Sequence, residues 1–499
     1  MDEPVPRGPA VVAGLAAAIL VATSARYGYH RDELYFLVAG RHPAWGYDDQ
    51  PPLTPLLAAG IDHVVPGSLV ALRLPSALLT GLTVWLGALT AREMGATRRG
   101  QLLAAVLGLV MPFLLVSGHL LSTTVPDVTA TAAIAWIAAR VVRTGDDRLL
   151  LLVGPVLGLA LMNKDLVGFA AAALVGAILL VGPRWMLRSW RLWAAAAIAL
   201  VLWLPYVIWQ ARHGWPQLEM SREIRDEGAE GGPIGFVPFQ LLLVGPPVAL
   251  VLLAGVWRLL RVEAARPFRF LGVAYLLLVV GFMVLGGKAY YVGGLLPAVM
   301  ATGAIATDGW LDRRRADGGW WARAGVRRGL LAAGLVAGGL TSVLLSLPVL
   351  PVSWLHATPI VAVNYDAGET VGWPRLVAQV ATAWDTLPPR DRSTAVLVTS
   401  NYGQAGALAR YGPGHGLPHP YSGANALARY GPPPDGAVPV VVVGYDESTL
   451  GDRFTGCRLL RRLDNGHDID NDEQGTPVWR CDGPVGSWSA VWPKVRHLS

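Results

Sequence analysis

Long apolar runs dominate the first 350 residues of the chain. They recur from Val11 to Val349, separated by short polar connections, whereas the last 149 residues contain none of comparable length. A helix needs about 20 consecutive apolar residues to cross the hydrocarbon core of a bilayer. The pattern therefore predicts a polytopic membrane helical bundle at residues 1–350, followed by a water-soluble tail at residues 351–499.

Composition and charge exclude two other classes of protein. Apolar residues make up 53% of the chain and charged residues 15%. In a water-soluble protein, roughly a quarter of all residues are charged. The net charge of +6 lies in residues 1–350, which hold 29 Lys and Arg against 21 Asp and Glu; residues 351–499 hold 12 against 14. No basic soluble face remains, so a nucleic-acid partner is not expected.

The loops between the apolar segments predict an orientation in the cell membrane. If the N-terminus is cytoplasmic, the cytoplasmic loops hold nineteen basic residues and the external loops hold eight. Basic residues are enriched in cytoplasmic loops, so the tail is predicted to be extracytoplasmic. The run that begins at Val11 is expected to be an uncleaved first span. About eleven apolar segments are counted, near residues 9–25, 67–91, 101–117, 122–142, 148–163, 166–182, 191–210, 236–258, 268–286, 290–307 and 329–349.

An acidic pair follows the first span, in a long external loop at residues 26–66. Asp32 and Glu33 come directly after His30 and Arg31. A carboxylate that is partly shielded from water has a raised pKa and can serve as a general base for an acceptor hydroxyl. The same residues would also suit the solvated start of a juxtamembrane helix, with both carboxylates paired to Arg31.

A second polar group lies further along this loop. Asp48, Asp49 and Gln50 follow Trp45 and Tyr47 and precede two prolines. The aromatic residues and prolines predict a rigid platform at the membrane surface, on which the carboxylates would hold sugar hydroxyls. An interfacial helix that ends in a proline turn, with the aromatic side chains as membrane anchors, is compatible with the same pattern.

Asp127 stands at the external start of the fourth apolar segment, directly after Val125 and Pro126. An ionisable residue inside an apolar segment is costly, which makes it a candidate functional residue. The alternative is that Asp127 only starts a helix, where the positive end of the helix dipole favours a carboxylate.

Two of the three lysines fall in predicted external turns. Lys164 lies between the fifth and sixth segments, and Lys288 precedes Tyr290 and Tyr291 between the ninth and tenth. A lysine at the headgroup level can hold a phosphate as a point charge. Either lysine would equally mark a helix end by extending its ammonium group to the interface, and Lys164 could pair with Asp165.

The tail has the pattern of a small α/β domain. Strands are predicted at residues 395–399 and 438–443, with a helix at residues 401–410 between them. Further strands are predicted near residues 457–463 and 477–481. Apolar β-branched runs bounded by turn residues are typical of buried strands.

The only two cysteines, Cys457 and Cys481, both belong to the tail. In an oxidising external compartment such a pair predicts a disulfide, although two buried thiols remain an alternative. The ten histidines include no paired His at ligand spacing, so no metal or other cofactor is expected.

Taken in order along the chain, these motifs resemble those of membrane glycosyltransferases of the GT-C fold. The resemblance covers about residues 20–310 and is closest to glycosyltransferase families 39 and 83, the protein O-mannosyltransferases and the lipid A aminoarabinose transferases, with their actinobacterial relatives. It implies that Asp32, with Glu33 as its neighbour, is the catalytic base or positions it, and that Asp127 is the second acidic residue, needed for activity or for orienting the acceptor. The tail would be the additional domain of the actinobacterial branch.

The resemblance also implies a site for the lipid phosphate of the donor. Lys288, Tyr290 and Tyr291 match the family's late basic and aromatic turn. Relatives often carry lysine where this chain has Gln50 before its two prolines. Lys164 or Arg31 is expected to replace that missing cation.

The predicted reaction is transfer of a sugar from a polyprenyl phosphate to an acceptor hydroxyl, with inversion at the anomeric carbon. The sugar and the acceptor, whether protein, polysaccharide or glycolipid, stay open. A lipid-linked sugar transporter or flippase is the main alternative, since many spans suit it equally. Transporters, however, place polar binding groups near the bilayer midplane, whereas this chain gathers them in its external loops. A receptor or assembly subunit leaves the acidic first loop unexplained.

Overall fold

The computed structural model describes residues 7–227, 232–312 and 324–498. Four arginines of the orientation count, at positions 313–315 and 323, lie outside these residues. The chain forms two compact units, which we call the helical unit and the sheet unit. The helical unit consists of Met1–Ser24, Arg73–Ala211 and Ile224–Leu347. The sheet unit consists of Ala25–Leu72, Arg212–Glu223 and Pro348–Ser499.

Helices make up most of the chain. In chain order they are α1 (Arg7–Thr23), α2 (Arg31–Ala39), α3 (Leu53–Val64), α4 (Leu69–Glu93), α5 (Arg98–Leu109), α6 (Pro112–His119), α7 (Thr124–Thr144), α8 (Val153–Leu161), α9 (Leu166–Val181), α10 (Trp185–Arg188), α11 (Trp190–Arg212), α12 (Pro216–Glu227), α13 (Gly232–Val244), α14 (Ala249–Arg261), α15 (Arg269–Leu285), α16 (Leu296–Asp312), α17 (Ala324–Ser346), α18 (Ile360–Val363), α19 (Tyr365–Gly368), α20 (Trp373–Trp384), α21 (Pro389–Arg392), α22 (Tyr402–Tyr411), α23 (Glu447–Leu450) and α24 (Trp488–Val495).

The helical unit contains the candidate membrane spans. Among the described residues, six helical segments are long and apolar enough to cross a bilayer, and two bent pairs, α5 with α6 and α13 with α14, raise the number to eight. The helices α1 and α9 are apolar but shorter. The chain is thus a multi-pass membrane protein, with fewer full-length spans than the eleven apolar segments that the sequence shows.

Proline and glycine explain why some apolar segments are broken. α5 and α6 meet at an angle of 54°, and α6 begins with Pro112. The second pair bends by 86° after Gly245, which has a φ of +92° and directly precedes Pro246. Proline has no N–H to continue a helix, so a run that is continuous in hydropathy becomes two helices. The predicted span at residues 148–163 is likewise divided into a 3₁₀ helix, Asp147–Leu152, and α8.

Glycines allow α14 and α16 to pack backbone to backbone. A Cβ on Gly255 would lie 2.3 Å from the carbonyl oxygen of Val299, and a Cβ on Gly303 would lie 2.2 Å from that of Val251. Small residues at helix contacts are typical of membrane bundles, because lipid tails provide no hydrophobic force and close packing must supply the attraction. The observed architecture is therefore the mainly helical membrane bundle that the sequence predicts.

The sheet unit contains seven strands among its described residues. They are β1 (Val396–Thr399), β2 (Pro420–Ser422), β3 (Val440–Val443), β4 (Phe454–Thr455), β5 (Arg458–Arg462), β6 (Pro477–Cys481) and β7 (Gly483–Pro484). Five of them form a mixed sheet with the order β2-β1-β3-β6-β5, and β4 pairs with β7 in a two-stranded sheet. β1 pairs in parallel with β2 and β3, whereas β6 is antiparallel to β3 and β5.

The predicted α/β tail is confirmed. β1, β3, β5 and β6 each fall within or beside a predicted strand, and α22 occupies the predicted helix. β2 was not predicted, because it begins with Pro420 and has only three residues. Its position at the edge of the sheet is one where a strand tolerates proline, since no partner needs the missing N–H.

The disulfide between Cys457 and Cys481 is also confirmed. Cys457 directly precedes β5, and Cys481 ends the neighbouring strand β6. The disulfide therefore links the start of the edge strand β5 to the end of its antiparallel neighbour β6.

The first loop belongs to the sheet unit, a grouping that the sequence did not predict. Its helix α2 packs on α22 of the tail. A Cβ on Gly406 would lie 2.7 Å from Leu34, and one on Gly403 would lie 2.9 Å from the Cβ of Arg31. Only glycine permits this close approach of two helices, and it places the acidic pair of the first loop beside the tail.

Candidate active site

The start of α2 is fixed by a capping box. The backbone N–H of His30 donates a hydrogen bond of 2.8 Å to Oε2 of Glu33, and Nδ1 of His30 accepts one of 3.2 Å from the backbone N–H of Asp32. Reciprocal bonds of this kind satisfy the free N–H groups of a first helical turn. Glu33 is fully buried, so its carboxylate serves to start the helix.

Asp32, by contrast, presents its carboxylate to the surroundings. Its side chain is 39% exposed, and Oδ1 accepts a hydrogen bond of 3.0 Å from the phenol of Tyr402. Of the acidic pair, Asp32 is therefore the residue whose carboxylate a substrate can reach.

Arg31 is held by the tail. Its Nε donates a hydrogen bond of 2.9 Å to the Tyr402 hydroxyl and its Nη1 one of 2.8 Å to that of Tyr365, and Nη1 also pairs with Asp472. Its guanidinium carbon lies 5.0 Å from the ring centroid of Tyr402. With these protein partners, Arg31 is poorly suited to replace the missing phosphate cation.

His30 forms an ion pair with another residue of the tail. Its Nε2 lies 3.5 Å from Oδ1 of Asp366. Burial of the imidazole opposes its protonation, but pairing with Asp366 and the charge of Asp32 outweigh this and raise the pKa of His30. The contacts of His30 are thus within the protein, at the helix cap and at Asp366.

The second polar group of the first loop is largely engaged by the protein. Asp48 is fully buried and pairs with Arg429 and, at 3.4 Å, with Arg496. Asp49 accepts a hydrogen bond from the hydroxyl of Tyr35, and burial raises the pKa of Asp49 to about 7. A buried carboxylate with two arginine partners is poorly placed to hold sugar hydroxyls, which leaves Asp49 as the better candidate of the pair.

Gln50 is buried at 7% exposure. Its Nε2 has no hydrogen-bond partner among the described residues. A buried donor of this kind normally has a partner, so Gln50 keeps one unused donor in the first loop.

The helical unit contains the other predicted residues. Asp127 lies in the first turn of α7 at 5% exposure. The positive charge of Lys164 acts on its carboxylate. Its Oδ1 has no hydrogen-bond partner within the described part of the chain. A buried carboxylate oxygen without a partner is costly, which favours a functional role for Asp127 over helix capping alone.

Lys164 and the aromatic turn lie together. The Lys164 ammonium is 5.7 Å from the ring centroid of Tyr290 and 5.6 Å from that of Tyr291, and it donates a hydrogen bond of 3.3 Å to the Thr124 hydroxyl. Lys288 caps the 3₁₀ helix Ala289–Leu295, which carries both tyrosines. The structure thus brings Asp127, Lys164, Tyr290 and Tyr291 together, as a cluster that we call the lysine–tyrosine cluster.

An apolar groove of 200 Å³ lies between α9 and α15 of the same unit. Phe169 and Phe282 line it, with ring centroids 5.4 Å apart, and Phe282 packs edge-on against Tyr291 at 5.4 Å. The groove therefore adjoins the lysine–tyrosine cluster and offers an apolar surface beside a cationic group.

The residues that sequence reasoning missed all belong to the tail. Tyr365, Tyr402 and Asp472 contact Arg31 across 334 to 441 positions of sequence, and no local pattern marks them. Among the described residues, no group of three His, Cys, Asp or Glu side chains is arranged to hold a metal ion.

The fold and these polar clusters define a multi-pass membrane protein with an α/β domain joined to its first loop. The model of one protein family, dolichyl-phosphate-mannose-protein mannosyltransferase, matches residues 49–209. That stretch, about a third of the chain, includes Asp127 and Lys164 but not Asp32. No curated protein matches the chain in sequence.

Solved structures match over much more of the chain. The structure of ArnT from Cupriavidus metallidurans bound to undecaprenyl phosphate has a TM-score of 0.58 at 15% identity, and the match covers 95% of this chain and 98% of ArnT. The archaeal oligosaccharyltransferase AglB from Archaeoglobus fulgidus, in complex with an inhibitory peptide and a dolichol-phosphate, has a TM-score of 0.53 at 12% identity, covering 83% of this chain and 64% of AglB. The chain thus has an ArnT-like fold, which confirms the predicted GT-C-like architecture. A relation to an actinobacterial branch stays a prediction.

Proposed function

We propose that the chain is a membrane glycosyltransferase that moves a sugar from a polyprenyl phosphate to an acceptor hydroxyl. The observation that carries the proposal is the accessible Asp32 carboxylate at the capped start of α2, in a chain whose ArnT-like fold extends over 95% of its length. The match of residues 49–209 to the mannosyltransferase family supports the same class of donor.

The lysine–tyrosine cluster is the proposed site of the donor phosphate. A polyprenyl phosphate combines a long apolar tail with an anionic head, and the groove lined by Phe169 and Phe282 lies beside the ammonium-bearing cluster. A lysine holds phosphate as a point charge, and a tyrosine hydroxyl can add a hydrogen bond. Lys288 is a further cation at the start of the same turn.

The proposed reaction is a single displacement. The acceptor oxygen forms a bond to the anomeric carbon, the bond from that carbon to the phosphate oxygen breaks, and the phosphate leaves with the electron pair. Asp32 takes the acceptor proton as general base, while Lys164 stabilises the charge on the leaving phosphate. Attack from the face opposite the leaving group inverts the anomeric configuration.

The reaction is proposed for the extracytoplasmic face, with a cytoplasmic N-terminus. Support comes from the basic residues of the loops and from the Cys457–Cys481 disulfide, since such bonds form in oxidising compartments. A reporter enzyme that is active only outside the cytoplasm, fused to the C-terminus, is expected to be active. An inactive fusion would reverse the proposed orientation.

The test of the function uses the full-length protein in lipid nanodiscs with radiolabelled polyprenyl-phosphate sugars and a membrane extract as the source of acceptor. We expect label to move from the lipid to an acceptor, and Asp32→Asn to slow this transfer about 10²- to 10⁴-fold with unchanged membrane insertion. Asp452→Asn, which alters an exposed carboxylate of the tail, is the matched control and should retain full transfer. Transfer retained by Asp32→Asn would remove Asp32 as the base. Absence of transfer by wild type would overturn the proposed function and favour a transporter.

A further inference from the structure

The tail brings the carboxyl end of its central parallel strand close to Asp32. β1 lies between β2 and β3, and both neighbours are parallel to it. The carboxyl end of β1 is therefore flanked by a parallel strand on each side. In open α/β sheets such switch points are where functional groups collect. Tyr402, the first residue of α22, stands two residues beyond Ser400 at this end of β1.

Tyr402 is held in one orientation by its surroundings. It is 8% exposed, and its ring packs at 5.1 Å from that of Tyr35. The first turn of α22 is capped by Asn401, whose side chain accepts a hydrogen bond of 2.8 Å from the backbone of Gln404. The Asn401 amide is in turn bonded to Glu473 at 2.8 Å. The phenol is therefore presented from a rigid helix start.

The hydrogen bonds around Tyr402 have a direction. Its hydroxyl oxygen accepts the proton of Arg31 Nε at 2.9 Å, so its own proton points to Oδ1 of Asp32 at 3.0 Å. Burial and the neighbouring Asp32 charge raise the pKa of Tyr402 well above its usual value, which keeps the phenol a donor. This chain of donors engages Oδ1. Oδ2 lies 4.0 Å from Nδ1 of His30, which is beyond hydrogen-bond distance, so it is the oxygen that can accept a further proton.

We infer that Tyr402, oriented by Arg31, is a positioning residue that holds the Asp32 carboxylate for proton transfer, so that the tail is part of the active site. This inference rests on the proposed function, in which Asp32 is the base. A carboxylate with one oxygen fixed by a phenol keeps the other aimed at the acceptor hydroxyl. The geometry of a general base decides its efficiency.

The test compares Tyr402→Phe with wild type and with Tyr445→Phe, as full-length proteins in nanodiscs. Tyr445 is a buried tail tyrosine whose hydroxyl has no hydrogen-bond partner among the described residues, so its variant should behave as wild type. We expect Tyr402→Phe to lower kcat about 10- to 100-fold with little change in KM for the donor.

A merely structural role is separated by two further measurements. In the Asp32→Asn background, Tyr402→Phe should cause no additional loss, since both changes act on one unit. Tyr402→Phe should stay folded at the assay temperature, with an unfolding midpoint below that of Tyr445→Phe, because Nε of Arg31 loses its acceptor. A fall in kcat that is matched by an equally large rise in KM, or an additive loss in the double variant, would overturn the inference.

The outcomes distinguish the inference from the function on which it rests. If wild type transfers sugar, Asp32→Asn transfers it far more slowly, and Tyr402→Phe equals wild type in kcat, the inference is wrong and the proposed function stands. If wild type transfers no sugar from any polyprenyl-phosphate donor, both are overturned.

Discussion

Oε2 of Glu33 accepts a hydrogen bond of 2.8 Å from the backbone N–H of His30, three residues earlier. The bond makes Glu33 part of the helix cap and leaves Asp32 as the accessible member of the acidic pair. Two neighbouring carboxylates that look equivalent in the sequence therefore have different roles, because one points into the protein and the other does not.

The first prediction follows from this cap. Glu33→Ala is expected to destabilise the protein by about 0.5–2 kcal/mol, the usual cost of losing a helix cap, and to lower sugar transfer indirectly. Glu33→Gln should retain both stability and transfer, because glutamine also serves at this position of a capping box. Thermal unfolding and transfer assays on both variants test this. Complete loss of transfer in a stable Glu33→Gln protein would instead make Glu33 the base.

A second prediction concerns Lys164 in the lysine–tyrosine cluster. Removing a charged hydrogen-bond partner of a phosphate costs about 1.5–3 kcal/mol, so Lys164→Ala should raise KM for the lipid donor by about 10- to 100-fold. Lys164→Arg should recover part of this loss. Lys494→Ala, at an exposed position of the tail, is the control and should leave KM unchanged. An unchanged KM for Lys164→Ala would remove Lys164 from the donor site.

The third prediction is a pH dependence of stability from His30 and Asp366. The pKa of His30 is raised, so its contribution to stability is complete below the usual histidine value of 6.5 and is lost as the pH rises through the raised value. Burial raises the pKa of Asp366, but pairing with His30 outweighs this and lowers it, so its contribution is present above 3.8 and is lost as the pH falls through the lowered value. The pair should therefore stabilise the protein most near pH 4–6.5.

Thermal unfolding of wild type and Asp366→Asn over pH 3–9 tests the pair. The difference between their midpoints should be greatest near pH 5 and shrink at both ends of the range. Because the Asp366 side chain is 44% exposed, the difference is expected to stay below about 1 kcal/mol. A difference that grows steadily toward pH 9 would contradict the assigned direction of the His30 shift.

The fourth prediction concerns the disulfide of the tail. Cys457 and Cys481 are 24 positions apart, and closing a loop of that length stabilises a fold by about 3 kcal/mol in the chain-entropy model. Reductant should therefore lower the unfolding midpoint of wild type, and the double variant Cys457→Ser with Cys481→Ser should show the lower midpoint without reductant. The double variant should not respond to reductant further. Equal midpoints for wild type with and without reductant would contradict this prediction.

The sequence predicted the membrane bundle and the tail well because both depend on local patterns. Apolar runs such as the one around α7 and buried strands such as β1 and β3 are visible in short windows, since hydrophobic burial is decided residue by residue along an element. The acidic pair at Asp32 and the lysine at position 164 stood out by the same reasoning, as charges beside apolar segments.

The partners of a carboxylate could not be predicted where they are distant in sequence. Asp48 is predicted to hold sugar hydroxyls, and the structure pairs it with Arg429 and Arg496 from the far end of the chain. This pairing cannot be read from neighbouring residues, because a carboxylate's availability depends on which cations the fold brings to it. Glu33 differs, since its partner is the backbone N–H of His30, three residues earlier.

The amino-acid sequence by itself determined that this is a multi-span membrane protein with an α/β tail and polar residues gathered in a few loops, because hydropathy and periodicity act over short distances. Only the tertiary structure decided that the tail reaches the first loop, where Arg31 and Asp32 meet Tyr402 across about 370 positions of sequence. That meeting depends on close packing of α2 against the glycines of α22, a contact between surfaces that are assembled only when the chain folds.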